Sequence, residues 1–431
     1  MSHGPVSRTP AGAHRRTRRR AVRVLLTAGL ALALSACANF SAAAPSYTVQ
    51  PSLTPPAVQP VEPSPPQVGQ SSPSTPPSTP TSASSPPPIS SLSSSSPAPS
   101  SSGPQDPCHP SDPAVIAACL KAPWGLAVMA DGQSALVGER TTGRILQIAP
   151  QTDPVPYATI ADIDASGDGG LLGISLSPSF DEDGLIYLYV TTKTDNRVLR
   201  LAKGDAAKPI FVGIPKGSTH NGGRIEFGAD GQLYVGTGDT GKPALAADPK
   251  SLAGKVLRID QFGKPAEGNP VAGSAIYASG FTDVTGMCAL GSTMGALDHR
   301  SAADVLIGVA KGGEYTSLQS GSAVWTWKKA DGGANDCSMS STQLAFTSLD
   351  AQRIVGLQLN PKTGGFVGTP NTLVQKTYGR LLTLTLGGGG TPQEVFWATT
   401  SNKDGNGKPT ASDDRVIVLK ANGGGGGPGK D

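Results

Sequence analysis

The chain has 431 residues, 35 basic and 32 acidic side chains, a formal net charge of +3, and 37% hydrophobic and 5% aromatic residues. Seven of the basic residues lie in the first 36 positions, so the remainder carries 28 basic against 32 acidic side chains and a formal charge of −4. That balance, with no basic stripe, excludes electrostatic nucleic-acid binding, and the length is ample for one large core.

Residues 1–36 hold seven arginines and no acidic residue, and the apolar run Val24 to Leu34 follows the basic cluster Arg15 to Arg23. This is the layout of an export signal and is too short for a comfortable membrane span. The run closes on Leu34-Ser35-Ala36-Cys37, a lipobox-like phrase that predicts cleavage before Cys37 and its diacylation. The expected location is therefore extracytoplasmic, anchored to the cell membrane, with Arg15-Arg16 leaving twin-arginine and general export both open.

Residues 37–107 are dominated by Pro, Ser, Thr, Ala and Gln. Such a segment cannot bury enough apolar surface to offset its ordering entropy, so it predicts a disordered tether, either O-glycosylated or an unmodified spacer. Residues 422–431 form a glycine-rich flexible tail. Between them, 108–421 reads as one domain, expected to be monomeric.

Four cysteines remain after Cys37, an even number in an exported chain, where disulfides are expected. Three pairings are open. The close spacing of Cys108 and Cys119 favours a clasp at the domain entrance, leaving Cys288 and Cys337 as a second bridge. No Cys-x2-Cys spacing exists, and past the leader the histidines are His109, His220 and His299, which argues against zinc.

The domain reads as β throughout. Asp131-Gly132, Asp183-Gly184 and Asp230-Gly231 each precede a strand-like run, and each unit ends in a similar phrase: Gly143 to Ile148, Asn196 to Leu201, Gly254 to Ile259. Turn, strand, turn, strand at a period of about 50 residues is a propeller rhythm, and the domain length predicts about six blades. The pattern weakens later, where 276–278, 305–309, 354–359, 381–386 and 416–419 still read as strands, the last closing the ring. No ordinary amphipathic helix is visible, which disfavours an α/β enzyme.

One stretch concentrates chemistry: Ser218-Thr219-His220-Asn221-Gly222-Gly223-Arg224. The paired glycines permit a sharp bend that presents His220 outward. The run Gly236-Thr237-Gly238-Asp239-Thr240-Gly241 fits G-x-G-x-x-G after a strand, but Pro243 and Pro249 interrupt the helix a dinucleotide site needs. It predicts a blade-edge loop. Asn402 to Asp414, with Asp404, Asp413 and Asp414, matches no calcium-loop spacing and predicts a solvated turn.

Pro123-Trp124-Gly125-Leu126, Gly167-Asp168-Gly169-Gly170-Leu171-Leu172-Gly173, His220-Asn221-Gly222-Gly223-Arg224 and Gly254-Lys255-Val256-Leu257-Arg258 resemble the soluble glucose/sorbosone dehydrogenase family of quinoproteins. The lipobox and spacer resemble a lipoprotein branch of it. The resemblance implies an all-β, six-bladed β-propeller of four-stranded antiparallel blades holding pyrroloquinoline quinone (PQQ) and calcium. It assigns His220 as the base that takes a proton from an aldose hydroxyl, a task suited to imidazole. Cofactor contacts would fall on Asp168, Arg224, Thr282, Asp283 and Arg380.

Several matched positions depart from the family. Thr282-Asp283 stand where an Arg-Asn pair is expected, and Asp168 replaces a longer polar side chain. A calcium-holding phrase is replaced by Asp298-His299-Arg300-Ser301, an expected lysine by Asp350, and one of two arginines by Leu382. A ligand with three carboxylates should bind poorly where cations give way to Asp and Thr. Two readings follow: a propeller with a degenerate quinone pocket that serves as a binding or scaffolding module at the cell envelope, with a sugar or envelope component as ligand, or an active PQQ-dependent aldose dehydrogenase with His220 as general base. Fold cannot choose between them. A structural histidine bonding a loop carbonyl competes with the catalytic role for His220, and His299 reads as structural.

Overall fold

The computed structural model describes residues 106–318, 322–360, 362, 365–387, 395–404 and 407–420. The expectations for the leader, Cys37, the tether through residue 105 and the tail at 422–431 lie outside the described residues.

Six four-stranded antiparallel sheets stand around one axis. Their innermost strands are Pro123–Val128, Leu171–Leu176, Gly222–Phe227, Val284–Leu290, Asp336–Met339 and Leu381–Gly387, each packed beside the next around the ring. The first five blades are consecutive in sequence. The sixth takes its outermost strand, Val115–Ala117, from the start of the domain and pairs it with Val416–Lys420. The ring is thus closed by hydrogen bonds between the two ends of the domain, as the 416–419 strand predicted.

Period-2 alternation explains how the blades stack. In Leu185–Thr191, Ile186, Leu188 and Val190 enter the core shared with the first blade, whereas Tyr187 and Tyr189 enter the core shared with the third. Both faces of this strand are therefore covered, and its sequence is apolar almost without interruption. Close to the axis the innermost strands need glycine: a Cβ on Gly173 would lie 2.2 Å from the carbonyl oxygen of Gly223.

The Asp-Gly turns and the third-strand phrases fall where expected in blades one to three. Strands 284–290 and 336–339 escaped the pattern because Gly286, Met287, Cys288, Ala289 and Ser338 are weak strand signals. Both expected disulfides are present, Cys108–Cys119 and Cys288–Cys337, with Cα separations of 5.3 and 5.7 Å. The second staples the innermost strands of blades four and five.

The loop from Asn402 to Asp414 corrects the solvated-turn expectation. Asp413 and Asp414 are fully buried. Asp413 accepts from Arg415 Nε at 2.9 Å, Asn402 Nδ2 at 2.9 Å and the Thr410 amide at 2.7 Å, and Asp414 accepts from the Asn402 amide at 2.6 Å. The carboxylates fold inward because the turn's own amide donors would otherwise be buried unpaired. No group of three or more metal-ligating side chains occurs among the described residues.

Candidate functional site

His220 lies two residues before the innermost strand of blade three and has a left-handed backbone, φ 54°, and Gly222 and Gly223 also have positive φ, 65° and 113°. Strain of this kind in a non-glycine residue persists only where its surroundings over-determine it. Three contacts do so. The His220 amide donates to Asp168 Oδ2 at 3.1 Å, its carbonyl accepts from the Thr240 amide at 3.1 Å, and Nδ1 lies 2.8 Å from Asp239 Oδ1.

Asp239 is the functional residue that the sequence reading missed. It is buried, and its Oδ1 also accepts the Gly241 amide at 2.8 Å. It belongs to the G-x-G-x-x-G run, which forms the expected loop between strands Leu233–Thr237 and Lys255–Ile259 and contains only the five-residue helix Pro243–Ala247. Gly238 is needed for close approach, since a Cβ there would lie 2.0 Å from the His220 carbonyl oxygen. The motif was visible, but it serves the imidazole and no phosphate.

Asp283 lies on the other side of the bend, where its Oδ1 accepts the Gly222 amide at 2.8 Å. The amides of Thr282 and Asp283 both donate to Asp298 Oδ1 at 2.8 Å, and Asp298 is paired with Arg300 at 2.7 Å. His299 Nε2 lies 3.0 Å from the buried Asp304, which also binds Lys329. His299 is structural in that contact, as expected, yet it also faces the cavity beside His220. That cavity has a volume of about 650 Å³ and is lined by His220, Asp239, Thr282, Asp283, His299 and Lys329, among others. A deeper recess touches Trp124, Asp168, Arg224, Asp283 and His299.

The predicted cations are each paired with a carboxylate. Arg224 points to the propeller axis, where Nε donates to the Thr285 carbonyl at 2.6 Å, Nη2 to Thr383 Oγ1 at 2.7 Å, and the guanidinium pairs with buried Asp336 at 3.2 Å. Arg380 pairs with Asp350 at 2.8 Å and lines neither the cavity nor the recess. Leu382 is buried, its carbonyl accepting from Thr347 and Asn335.

Burial alone would lower the His220 pKa, but the hydrogen bond to Asp239 and the charges of Asp283, Asp239 and Asp168 outweigh it and raise it above the ordinary imidazole value. Burial pushes Asp283 well above the usual carboxylate range. When the neutral ring donates from Nδ1 to Asp239, the lone pair is on Nε2, the arrangement needed to move a proton to or from a bound hydroxyl.

Glu226 faces the axial channel beside Asp336 and Arg224. Burial first, and Asp336 second, push its pKa up to about 8. A carboxyl raised above its unfolded value of about 4.3 contributes stability below that pH and loses it as pH rises through about 8. Chemical denaturation should therefore show stability falling between about pH 4.3 and about pH 8, and Glu226→Gln should flatten that slope; an unchanged slope would remove Glu226 as its source.

A family model described as Glucose / Sorbosone dehydrogenase matches residues 120–300. The aldose sugar dehydrogenase YliI of Escherichia coli (strain K12) is 29% identical over 186 residues, covering 39% of this chain and 50% of that protein. Quinoprotein glucose dehydrogenase B of Acinetobacter calcoaceticus is 28% identical over 247 residues, covering 47% and 52%. The chain thus spans about half the length of these curated relatives. Among solved structures, the PQQ-bound form of an aldose sugar dehydrogenase from Streptomyces coelicolor is similar at 32% identity with a TM-score of 0.65, over 71% of this chain and 96% of that one.

Proposed function

This chain belongs to the glucose/sorbosone dehydrogenase family, and we propose on that premise that its propeller is a saccharide-binding module of the cell envelope whose quinone pocket is degenerate. The observation that carries this reading is the charge around His220. Asp168, Asp239 and Asp283 surround the imidazole, while Arg224, Arg300, Arg380 and Lys329 are committed to Asp336, Asp298, Asp350 and Asp304. PQQ carries three carboxylates, and carboxylates are held by cations and amide donors with free valence. Thr282 and Asp283, at positions matched to cofactor contacts, supply no cation, so these residues do not fit the quinone.

A neutral sugar suits the same walls better. Its hydroxyls can donate to carboxylates and to Nε2 of His220, and a cavity of about 650 Å³ is within the range of small-molecule sites. Isothermal titration of the mature protein with aldoses and envelope oligosaccharides tests this. Saturable binding that weakens in His220→Ala supports it, and no heat from any saccharide overturns it.

The His220–Asp239 pair favours a second reading, an active PQQ-dependent aldose dehydrogenase with His220 as general base. That reading requires a quinone, with calcium, to be held against three carboxylates.

The placement at the envelope rests on the lipobox. Cys37→Ala should move the protein from membranes to the soluble fraction, as read by fractionation and immunoblotting; unchanged membrane retention would remove the anchor.

A further inference from the structure

His220 and His299 face one cavity, and each is held through a single ring nitrogen by a buried carboxylate. His220 uses Nδ1 toward Asp239 at 2.8 Å, and His299 uses Nε2 toward Asp304 at 3.0 Å. For the opposite nitrogens, Nε2 of His220 and Nδ1 of His299, no protein hydrogen bond occurs among the described residues. Asp283 holds the two segments together: its carbonyl accepts the His299 amide at 2.8 Å, and its carboxylate accepts the Gly222 amide at 2.8 Å.

We propose that this histidine pair catalyses the anomeric interconversion of a bound aldose, a cofactor-free reaction that rests on the saccharide reading above. Opening the ring needs one group to accept the O1 proton and another to supply a proton to O5. His299 takes the proton from O1, the O1–H electron pair becomes the second C1–O1 bond, the C1–O5 bond breaks, and O5 takes a proton from His220. Rotation about C1–C2 and the reverse transfer close the ring as the other anomer. Every proton is returned, nothing is oxidised, and no co-reactant is consumed.

The surroundings of the rings support this division. Burial lowers the His299 pKa, keeping it neutral as a base, while the acids around His220 raise that of its ring. Opposed environments of this kind separate an acid from a base. The Lys329 and His220 charges also lower the His299 pKa, against the opposing Asp304 and Asp350 charges.

The test follows freshly dissolved α-D-glucose by polarimetry with the mature full-length protein, against buffer containing an equal concentration of free imidazole. The expected result is a saturable acceleration. His220→Gln and His299→Gln should each reduce it by about 10²-fold or more, the usual scale of positioned acid–base catalysis. In the unmodified protein, 1,5-anhydroglucitol, which has no O1 hydroxyl, should suppress the acceleration competitively, a readout that does not depend on a variant folding. Glucose binding without acceleration, or acceleration that 1,5-anhydroglucitol leaves untouched, overturns the inference while the binding-module reading stands. Absence of any saccharide binding overturns both.

Discussion

Replacing Arg224 by methionine should lower the unfolding free energy by about 3–5 kcal/mol, the usual cost of leaving one member of a buried ion pair alone. The guanidinium crosses the axis from blade three, donates to Thr285 of blade four and Thr383 of blade six, and pairs with Asp336 of blade five. Its loss strands Asp336, only 3% exposed, without its cation. Adding Asp336→Leu to the same chain should recover most of the loss, because the uncompensated charge goes with it. Urea unfolding of the two variants measures both numbers. A single variant within about 0.5 kcal/mol of the parent, the range of ordinary surface substitutions, would mean that the axial pair contributes little.

Thr282→Arg with Asp283→Asn should tighten quinone binding by about 10²-fold relative to the unmodified protein. The first change adds a charge-assisted contact worth about 1.5–3 kcal/mol, and the second removes a carboxylate from the cavity wall. Visible absorbance on titrating PQQ with calcium reads the change directly. If the double variant binds no better than the parent, the two side chains are not what weakens the site. If the parent already binds tightly, the degenerate-pocket reading fails without further work.

Much of the architecture was legible because the first three blades repeat their turn chemistry. Asp131-Gly132, Asp183-Gly184 and Asp230-Gly231 fix tight turns, with φ of 63°, 60° and 70° at the glycines. On their innermost strands, blades four and five replace those cues with small and sulfur-bearing residues, Gly286 to Ala289 and Cys337 to Met339, buried by closeness to the axis, which composition does not report. His220 was legible as chemistry because it stands against two glycines. Asp239 was not, because the glycines that bring it to His220 also satisfy an unrelated phosphate-binding pattern, and only the third dimension says which.

Arg224 shows the opposite limit. It shares a phrase with His220, and alternation along Gly222–Phe227 turns it toward the axis, where it also touches the recess beside Asp168 and Asp283. Its acidic partner comes from blade five, and nothing local in either segment announces the pair. Asp413 and Asp414 were misread because acidic loop residues usually face water, whereas these are drawn in by the amides of their own turn.

The measurement that tests the central claim most directly is a parallel titration of the unmodified mature protein with PQQ plus calcium and with a saccharide panel, followed by an assay with an artificial electron acceptor. The account predicts saccharide binding that depends on His220, no tight quinone binding, and no acceptor reduction. Tight quinone binding with aldose-dependent acceptor reduction that falls about 10²–10⁴-fold in His220→Ala would contradict it and establish the dehydrogenase reading.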